Sequence, residues 1–268
     1  MDLMGREPHL YARLHRLAVL FAAVVFATVV AIAIGTGSAK AAPAVAVLGA
    51  AAPAEPACPA NCQAVAKTTG FQISIGDVKS PFVVPYTGKI VAWSIKLGVP
   101  ASSPAAGEAE SQLSFFNSEF GPSQARLSVL KPVMKKVKLG KPIYKLKAQA
   151  PVEPLEQFFG TTTTFTLQQP IKVKQNQILA LTIPTWAPAL AVGQGGQSIW
   201  QASRKRARCA LSPKTALEDT QAGRPQEVLG ADRAYGCVYK TARILYSATL
   251  VKSPKAPAPS PGKKKPKS

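Results

Sequence analysis

Between residues 67 and 251 the apolar side chains recur at every second position, and almost nowhere at the interval of about 3.6 residues that marks a helix. In Phe71-Gln72-Ile73-Ser74-Ile75 apolar and polar residues alternate. Val91, Trp93, Ile95 and Leu97 do the same against Ala92, Ser94 and Lys96. Such segments make strands with one buried face, because successive side chains in a strand point to opposite sides. Further strands are expected at residues 112–116, 126–130, 143–148, 161–167, 177–183, 199–203 and 243–251. Turn signals such as Gly121-Pro122, Gly140-Lys141-Pro142 and Gln175-Asn176-Gln177 separate them. Only Lys214 to Asp219 reads as helical. Many short strands without intervening helices predict an all-β fold: an antiparallel, jelly-roll-like β-sandwich of about nine strands.

The flanks differ in kind. Arg6, His9, Arg13, His15 and Arg16 precede an apolar run from Leu17 to Ile34 that only Thr28 interrupts, and Ala39-Lys40-Ala41 follows as an A-x-A site. A basic start, an apolar run and a small-residue site together read as a secretory signal, residues 1–41. The run is also long enough, at about 1.5 Å per residue, to form a hydrophobic helix that nearly crosses a ~30 Å hydrocarbon core. Left uncleaved, residues 17–34 would anchor the chain with its N-terminus cytoplasmic. In either case the domain is expected outside the cell or at its surface. Residues 42–66, rich in Ala and Pro, read as a linker. The tail 252–268, lysine- and proline-rich without an acid, is expected to be disordered, leaving 67–251 as the sandwich.

All four cysteines, Cys58, Cys62, Cys209 and Cys237, follow the leader, and an even number in an oxidising compartment reads as disulfides. Of the three connectivities, Cys58–Cys62 with Cys209–Cys237 is favoured, since each pair closes a local loop. A zinc site from the same residues would need paired knuckles, which this spacing lacks.

The stretches VPYTGKIVAWSIKLG, ARLSVLKPV, YKLKAQAPVEP and FTLQQPIKVKQNQILALTIP, in that order over roughly residues 70–190, resemble a secreted β-sandwich domain that recurs in exported proteins of high-GC bacteria. In that domain a Gly-led strand bearing Trp precedes an L-x-V-L strand, a hairpin, and a strand pair joined by a Gly-Asp turn. Here Gln175-Asn176-Gln177 stands in place of Gly-Asp, so a different turn is expected. The resemblance implies the fold and export; it implies no activity.

Chemistry is bounded by what is missing. Both histidines lie in the leader, so the domain contains neither a Ser-His-Asp or Cys-His constellation nor an imidazole ligand for a metal. Glu153 and Glu156 are the nearest carboxylate pair, but they share one Pro-rich connector, whereas glycoside hydrolysis needs two carboxyl groups facing each other across a bond. No Asp-rich calcium loop is present. No cofactor, no metal and no enzymatic activity are expected; glycan hydrolysis is the alternative.

Positive charge carries the remaining signal. The chain has 33 Lys and Arg against 13 Asp and Glu, a net of +20. Lys131, Lys135, Lys136, Lys138, Lys141, Lys145 and Lys147 fall in one strand-loop-strand stretch without an acid, and Arg204, Lys205, Arg206 and Arg208 form a second cluster. Lysines on an edge hairpin also serve to keep it soluble and unpaired. As binding residues, Lys135, Lys136, Lys138, Lys141, Lys145, Lys147, Arg204, Lys205 and Arg206 would hold polyanions by a salt-sensitive attraction blind to sequence. Trp93 is expected inside. Trp186 and Trp200, beside Pro- and Gly-rich segments, are candidates for stacking on a sugar. The expectation is therefore an exported, non-catalytic binding or envelope-structural module for anionic cell-envelope polymers or carbohydrate. Export argues against a physiological nucleic-acid partner.

Overall fold

The computed structural model describes residues 44–133, 142–209 and 213–254. The expected leader 1–41, the cations Lys135, Lys136, Lys138 and Lys141, and residues 255–268 of the tail lie outside the described residues. In chain order the elements are β1 (Val45–Leu48), β2 (Val65–Ile75), β3 (Val78–Lys79), β4 (Gly88–Lys96), α1 (Gln112–Phe120), β5 (Gln124–Pro132), β6 (Ile143–Gln149), β7 (Glu153–Pro154), β8 (Thr162–Val173), β9 (Ile178–Ala187), β10 (Leu190–Val192), β11 (Ile199–Ala202), α2 (Pro213–Gln221), β12 (Asp232–Ala234), β13 (Cys237–Lys240), β14 (Ala242–Ile244) and β15 (Tyr246–Lys252). No helix among the described residues is long and apolar enough to cross a membrane.

One sheet has the order β1-β15-β4-β8. A second, curled sheet runs β12-β6-β5-β9-β2-β11-β13, with β3 on β2 and β7 on β5, and β10 pairs β14 as a separate ribbon. Each strand pairing is antiparallel. Ile90, Trp93 and Ile95 of β4 and Leu250 of β15 share one hydrophobic core with Leu127, Val129, Leu179 and Leu181 of the second sheet. The alternation thus gives the all-β antiparallel architecture that it predicts, jelly-roll-like in that sheet neighbours come from distant parts of the chain. Among the described residues fifteen strands stand where about nine are expected, because several are only two to four residues long, too short for a period to show. In β4 a bulge between Ile90 and Ala92 shifts the alternation by one, so that Ile90 joins Trp93 and Ile95 inside while Val91 turns part-way out.

Two expectations change. Residues 112–116 are the start of a helix and not a strand. Ser111 caps it, its side chain accepting from the Ser114 N–H at 3.1 Å, and Gly121 at φ +83° ends it. Leu113, Phe116 and Phe120 then lie on one side and pack with Trp186 and Ala66 in a small second core. The described part of the expected linker 42–66, residues 44–66, is also no free segment. β1 pairs β15 from Val45↔Val251 to Leu48↔Ala248, the Ala57 N–H donates to the Leu190 carbonyl, and Val65 and Ala66 already belong to β2. Small side chains let this segment lie flat on the sandwich; Arg243 Nη1 donates to the Ala52 carbonyl at 2.5 Å. At Gln175-Asn176-Gln177 the turn is made by Asn176 at φ +65°, a conformation asparagine tolerates, while Gln177 Oε1 accepts from the Lys174 N–H.

Candidate functional site

The site begins where β11 ends. Ser203 continues the strand line, donating its N–H to the Thr69 carbonyl and accepting the Thr69 N–H at its hydroxyl, 2.9 Å. Arg204 then turns inward. Its Nη2 donates to the Ala66 carbonyl at 2.9 Å and its Nη1 to the Thr220 hydroxyl on α2 at 3.2 Å, so the guanidinium bolts α2 to β2 and only 7% of the residue is exposed. The following segment makes a 3-10 turn at Arg206–Arg208 and is tied back to β13 by the Cys209–Cys237 disulfide. Gly236 permits the close return: a Cβ there would lie 2.7 Å from the Arg206 nitrogen and 2.8 Å from the Arg204 carbonyl oxygen. The second disulfide is Cys58–Cys62, so the favoured pairing is the one found.

This local folding gathers charge. A cavity of about 270 Å³ is lined by Arg204, Lys205, Arg208, Arg224 and Arg233, with Asp219 as its one carboxylate. Arg224 Nη1 donates to the Gly223 carbonyl at 2.9 Å, and Arg233 Nη1 donates to the Arg224 carbonyl at 3.0 Å. Both guanidinium groups are thus held by main-chain oxygens. The ion pairs Lys96–Glu55, Arg126–Glu227 and Lys145–Asp232 lie outside the cleft lining. Five like charges this close repel one another, and an incoming anion relieves that repulsion.

Beyond Arg204 the cleft meets a wider groove of about 750 Å³ between the β11–β13 pair and α1. Trp200 and Tyr239 face each other in register and stack, ring centres 4.4 Å apart. Burial raises the Tyr239 phenol above its ordinary range, and the Arg204 guanidinium opposes that shift. Phe115 and Phe116 line the opposite side.

The expected site residues are only partly brought together. Arg204 and Lys205 line the cleft, but Arg204 is a buried strut whose charge faces inward. Arg206 is exposed on the same turn and does not line it. Lys145 does not line the cleft: it lies on β6, where its ammonium pairs with Asp232 of the neighbouring β12 at 3.0 Å and donates to the Gly230 carbonyl. That pairing offsets a like charge, since Lys131 is its direct partner across β5. Lys147 is exposed at the bulge in β6. Nothing local in the sequence marks Arg224, Arg233 or Tyr239: Arg224 reaches the cleft from the connection after α2 and Arg233 from β12, while Tyr239 of β13 lines the groove.

Trp186 is corrected outright. Its ring has no exposed surface, so it cannot stack on a sugar. Nε1 donates to Asn117 Oδ1 at 3.0 Å and to the Gly121 carbonyl at 2.8 Å, and the ring stacks on Phe116 at 4.7 Å. The flanking prolines suggest a loop, yet β9 runs through Pro184 to Ala187: Pro184 and Thr185 stand opposite Lys67 alone, in a bulge where the missing N–H is not needed. Trp200 is also corrected in part. It is a strand residue, 5% exposed, with one face covered by Tyr239.

A larger cavity, about 1030 Å³, lies elsewhere, between the β6–β7 connection and a bulge of β8 at Gln168–Pro170. Glu153 is its one lining carboxylate. Glu156 instead accepts the Ser123 N–H at 3.3 Å. Paired-carboxylate hydrolysis has no second carboxyl group there. Among the described residues no three His, Cys, Asp or Glu side chains gather where they could hold a metal ion.

Comparison of the chain with protein-family models, with curated proteins and with solved structures returns no match.

Proposed function

We propose that this chain is an exported, non-catalytic binding module that holds anionic cell-envelope polymers in the arginine cleft. The observation that carries the reading is the convergence of Arg204, Lys205, Arg208, Arg224 and Arg233 on one cavity with a single carboxylate. Beside the buried Arg204, three of the four cations that line it are arginines, whose planar fork matches carboxylate and phosphate oxygens. Two disulfides and the signal-like leader support a place outside the cytoplasm. The exposed cations around the cleft, Arg206 among them, would draw a polymer towards it.

The experiment is binding to an anionic polymer, such as a glycerol-phosphate chain, across salt concentrations. Retention at 50 mM salt is expected to be lost near 0.5 M, where the screening length falls to about 4 Å. Retention indifferent to salt would contradict an electrostatic seat.

A further inference from the structure

β8 is the last strand of its sheet, and among the described residues no strand pairs its outer side. The phase of the ladder shows which of its backbone groups are left over. The Leu97 N–H donates to the Thr161 carbonyl and the Lys96 N–H to the Leu245 carbonyl, on opposite sides of β4. Alternate residues of an antiparallel strand bond to a given neighbour. Since Lys96 stands opposite Thr162, it is Thr163 and Phe165 that bond to β4, and Thr162, Thr164 and Thr166 that aim N–H and C=O away from it.

Over Thr161 to Leu167 this strand lacks the devices that usually blunt an edge. The strands at the other sheet ends, β1, β12 and β13, are three or four residues long, whereas β8 has 12. The stretch carries no charge, proline or glycine, in a chain with 33 Lys and Arg. Pairing also has a fixed limit, because β8 bulges opposite Val91 after Thr166 and Pro170 follows.

The stretch is complementary to itself. When two copies meet antiparallel about Thr164, Thr162 stands opposite Thr166 of the second copy and Thr164 opposite its own equivalent, all with exposed side chains. On the inner face the half-buried Thr163 stands opposite Phe165 of the second copy. Threonine pairs and pairs of an aromatic with a β-branched residue are favourable across strands, and no like charges meet. About six main-chain hydrogen bonds form. Seven residues at about 3.4 Å span roughly 24 Å along an edge about 20 Å deep, so the two copies bury on the order of 1,000 Å² in all. That is the lower end for a specific interface and suits a weak, reversible dimer.

We propose that β8 is a self-pairing edge, through which two copies of the chain join antiparallel over Thr162–Thr166 about a two-fold axis at Thr164, fusing their β8 sheets into one. The pairing does not depend on the role given to the arginine cleft. If that role holds, the dimer offers two cationic seats to one polymer, and linked seats raise avidity without any new contact. The net charge of +20 on each copy opposes association at long range, so salt strengthens the dimer while it weakens polymer retention.

The test is cysteine cross-linking of the whole chain, whose four native cysteines are already in disulfides. Opposed residues that exchange both hydrogen bonds have Cα atoms about 5.5 Å apart, within disulfide reach, whereas positions four residues out of register are roughly 14 Å apart. Mild oxidation should turn Thr164→Cys into a covalent dimer, leave Thr162→Cys and Thr166→Cys as single chains when alone, and link these two when mixed. Sedimentation at about 0.5 M salt, where repulsion is screened, is expected to show the parent rising with concentration towards twice 28.2 kDa. Thr164→Lys and Thr164→Glu each place like charges face to face on the axis and should sediment as single chains, while an equal mixture of the two regains the dimer. No cross-link in Thr164→Cys, equal cross-linking of all three cysteine variants, a parent that stays a single chain, or a dimer that Thr164→Lys leaves intact would each overturn the proposal.

Discussion

Arg204 and Arg208 are four residues apart on one connection and have opposite roles. Arg204 spends its hydrogen bonds on Ala66 and Thr220, whereas Arg208 is exposed on the turn held by the disulfide. A composition argument treats them alike, because both belong to one basic run; only the direction of the backbone after Ser203 separates them. The same holds for the tryptophans. Trp93 was legible, since it falls in an alternating strand. Trp186 was not, because Pro184 and Pro188 imitate a loop and a bulge opposite Lys67 is invisible in one strand's sequence. At this scale the clearest prediction concerns Trp186→Phe. It removes the donor shared by Asn117 and Gly121 and leaves part of the small core empty, which should cost about 2–3 kcal/mol. Urea unfolding would show it as a lower midpoint at unchanged slope. A cost within about 0.5 kcal/mol, the range of ordinary surface substitutions, would mean that the ring does not pin α1.

Among the elements, the long strands were readable and the short ones were not. β5 and β6 pair as their alternation suggests, and the threonine-rich edge strand β8, expected over 161–167, exposes Thr162, Thr164 and Thr166. The helix α1 escaped because its signal, Leu113, Phe116 and Phe120, spreads over eight residues, while the five residues 112–116 alone fit either period. β1 escaped because an Ala/Pro-rich stretch carries no period. The element that matters most for the site is the connection from β11 to β13, closed by Cys209–Cys237 at a separation of 28 residues. Chain-entropy arithmetic for a loop of that size gives about 3–4 kcal/mol. Replacing both cysteines with alanine is therefore expected to lower the thermal midpoint by roughly 6–16 °C for a domain of about 200 residues. It should also loosen Lys205 and Arg208 and weaken polymer retention. Retention equal to that of the parent would show that the bridge does not shape the cleft.

For the molecule as a whole, the absence of histidine beyond His15 and the buried tyrosines set the response to pH. Tyr235 and Tyr246 are fully shielded, their hydroxyls donating to Gln226 Oε1 at 2.8 Å and to the Leu179 carbonyl at 3.0 Å. Burial raises both well above the ordinary value of 10.0, and raises Tyr144 and Tyr239 as well. A raised phenol means that above its ordinary value the unfolded chain ionises first, which draws the equilibrium towards unfolding. Stability from these groups is thus complete below about pH 10 and is lost as pH climbs from there towards their folded values. Denaturation midpoints should be nearly flat from about pH 6 to 9 and fall beyond 10. A transition centred near pH 6.5 would contradict this, since no domain imidazole exists to produce it.

Net charge was legible at this scale from the sequence, but not its focus: Arg204, Lys205 and Arg208 come from one run, while Arg224 and Arg233 arrive from later connections that only the tertiary fold brings near. The most direct measurement of that focus is the slope of log binding constant against log salt for an anionic polymer, in the parent and in Arg208→Ala/Arg224→Ala. Each cation that engages the polymer contributes about one unit of slope, so the double variant should bind more weakly with a slope about two units shallower. An identical slope in both proteins would show that the polymer is held elsewhere and that the cleft is not its seat.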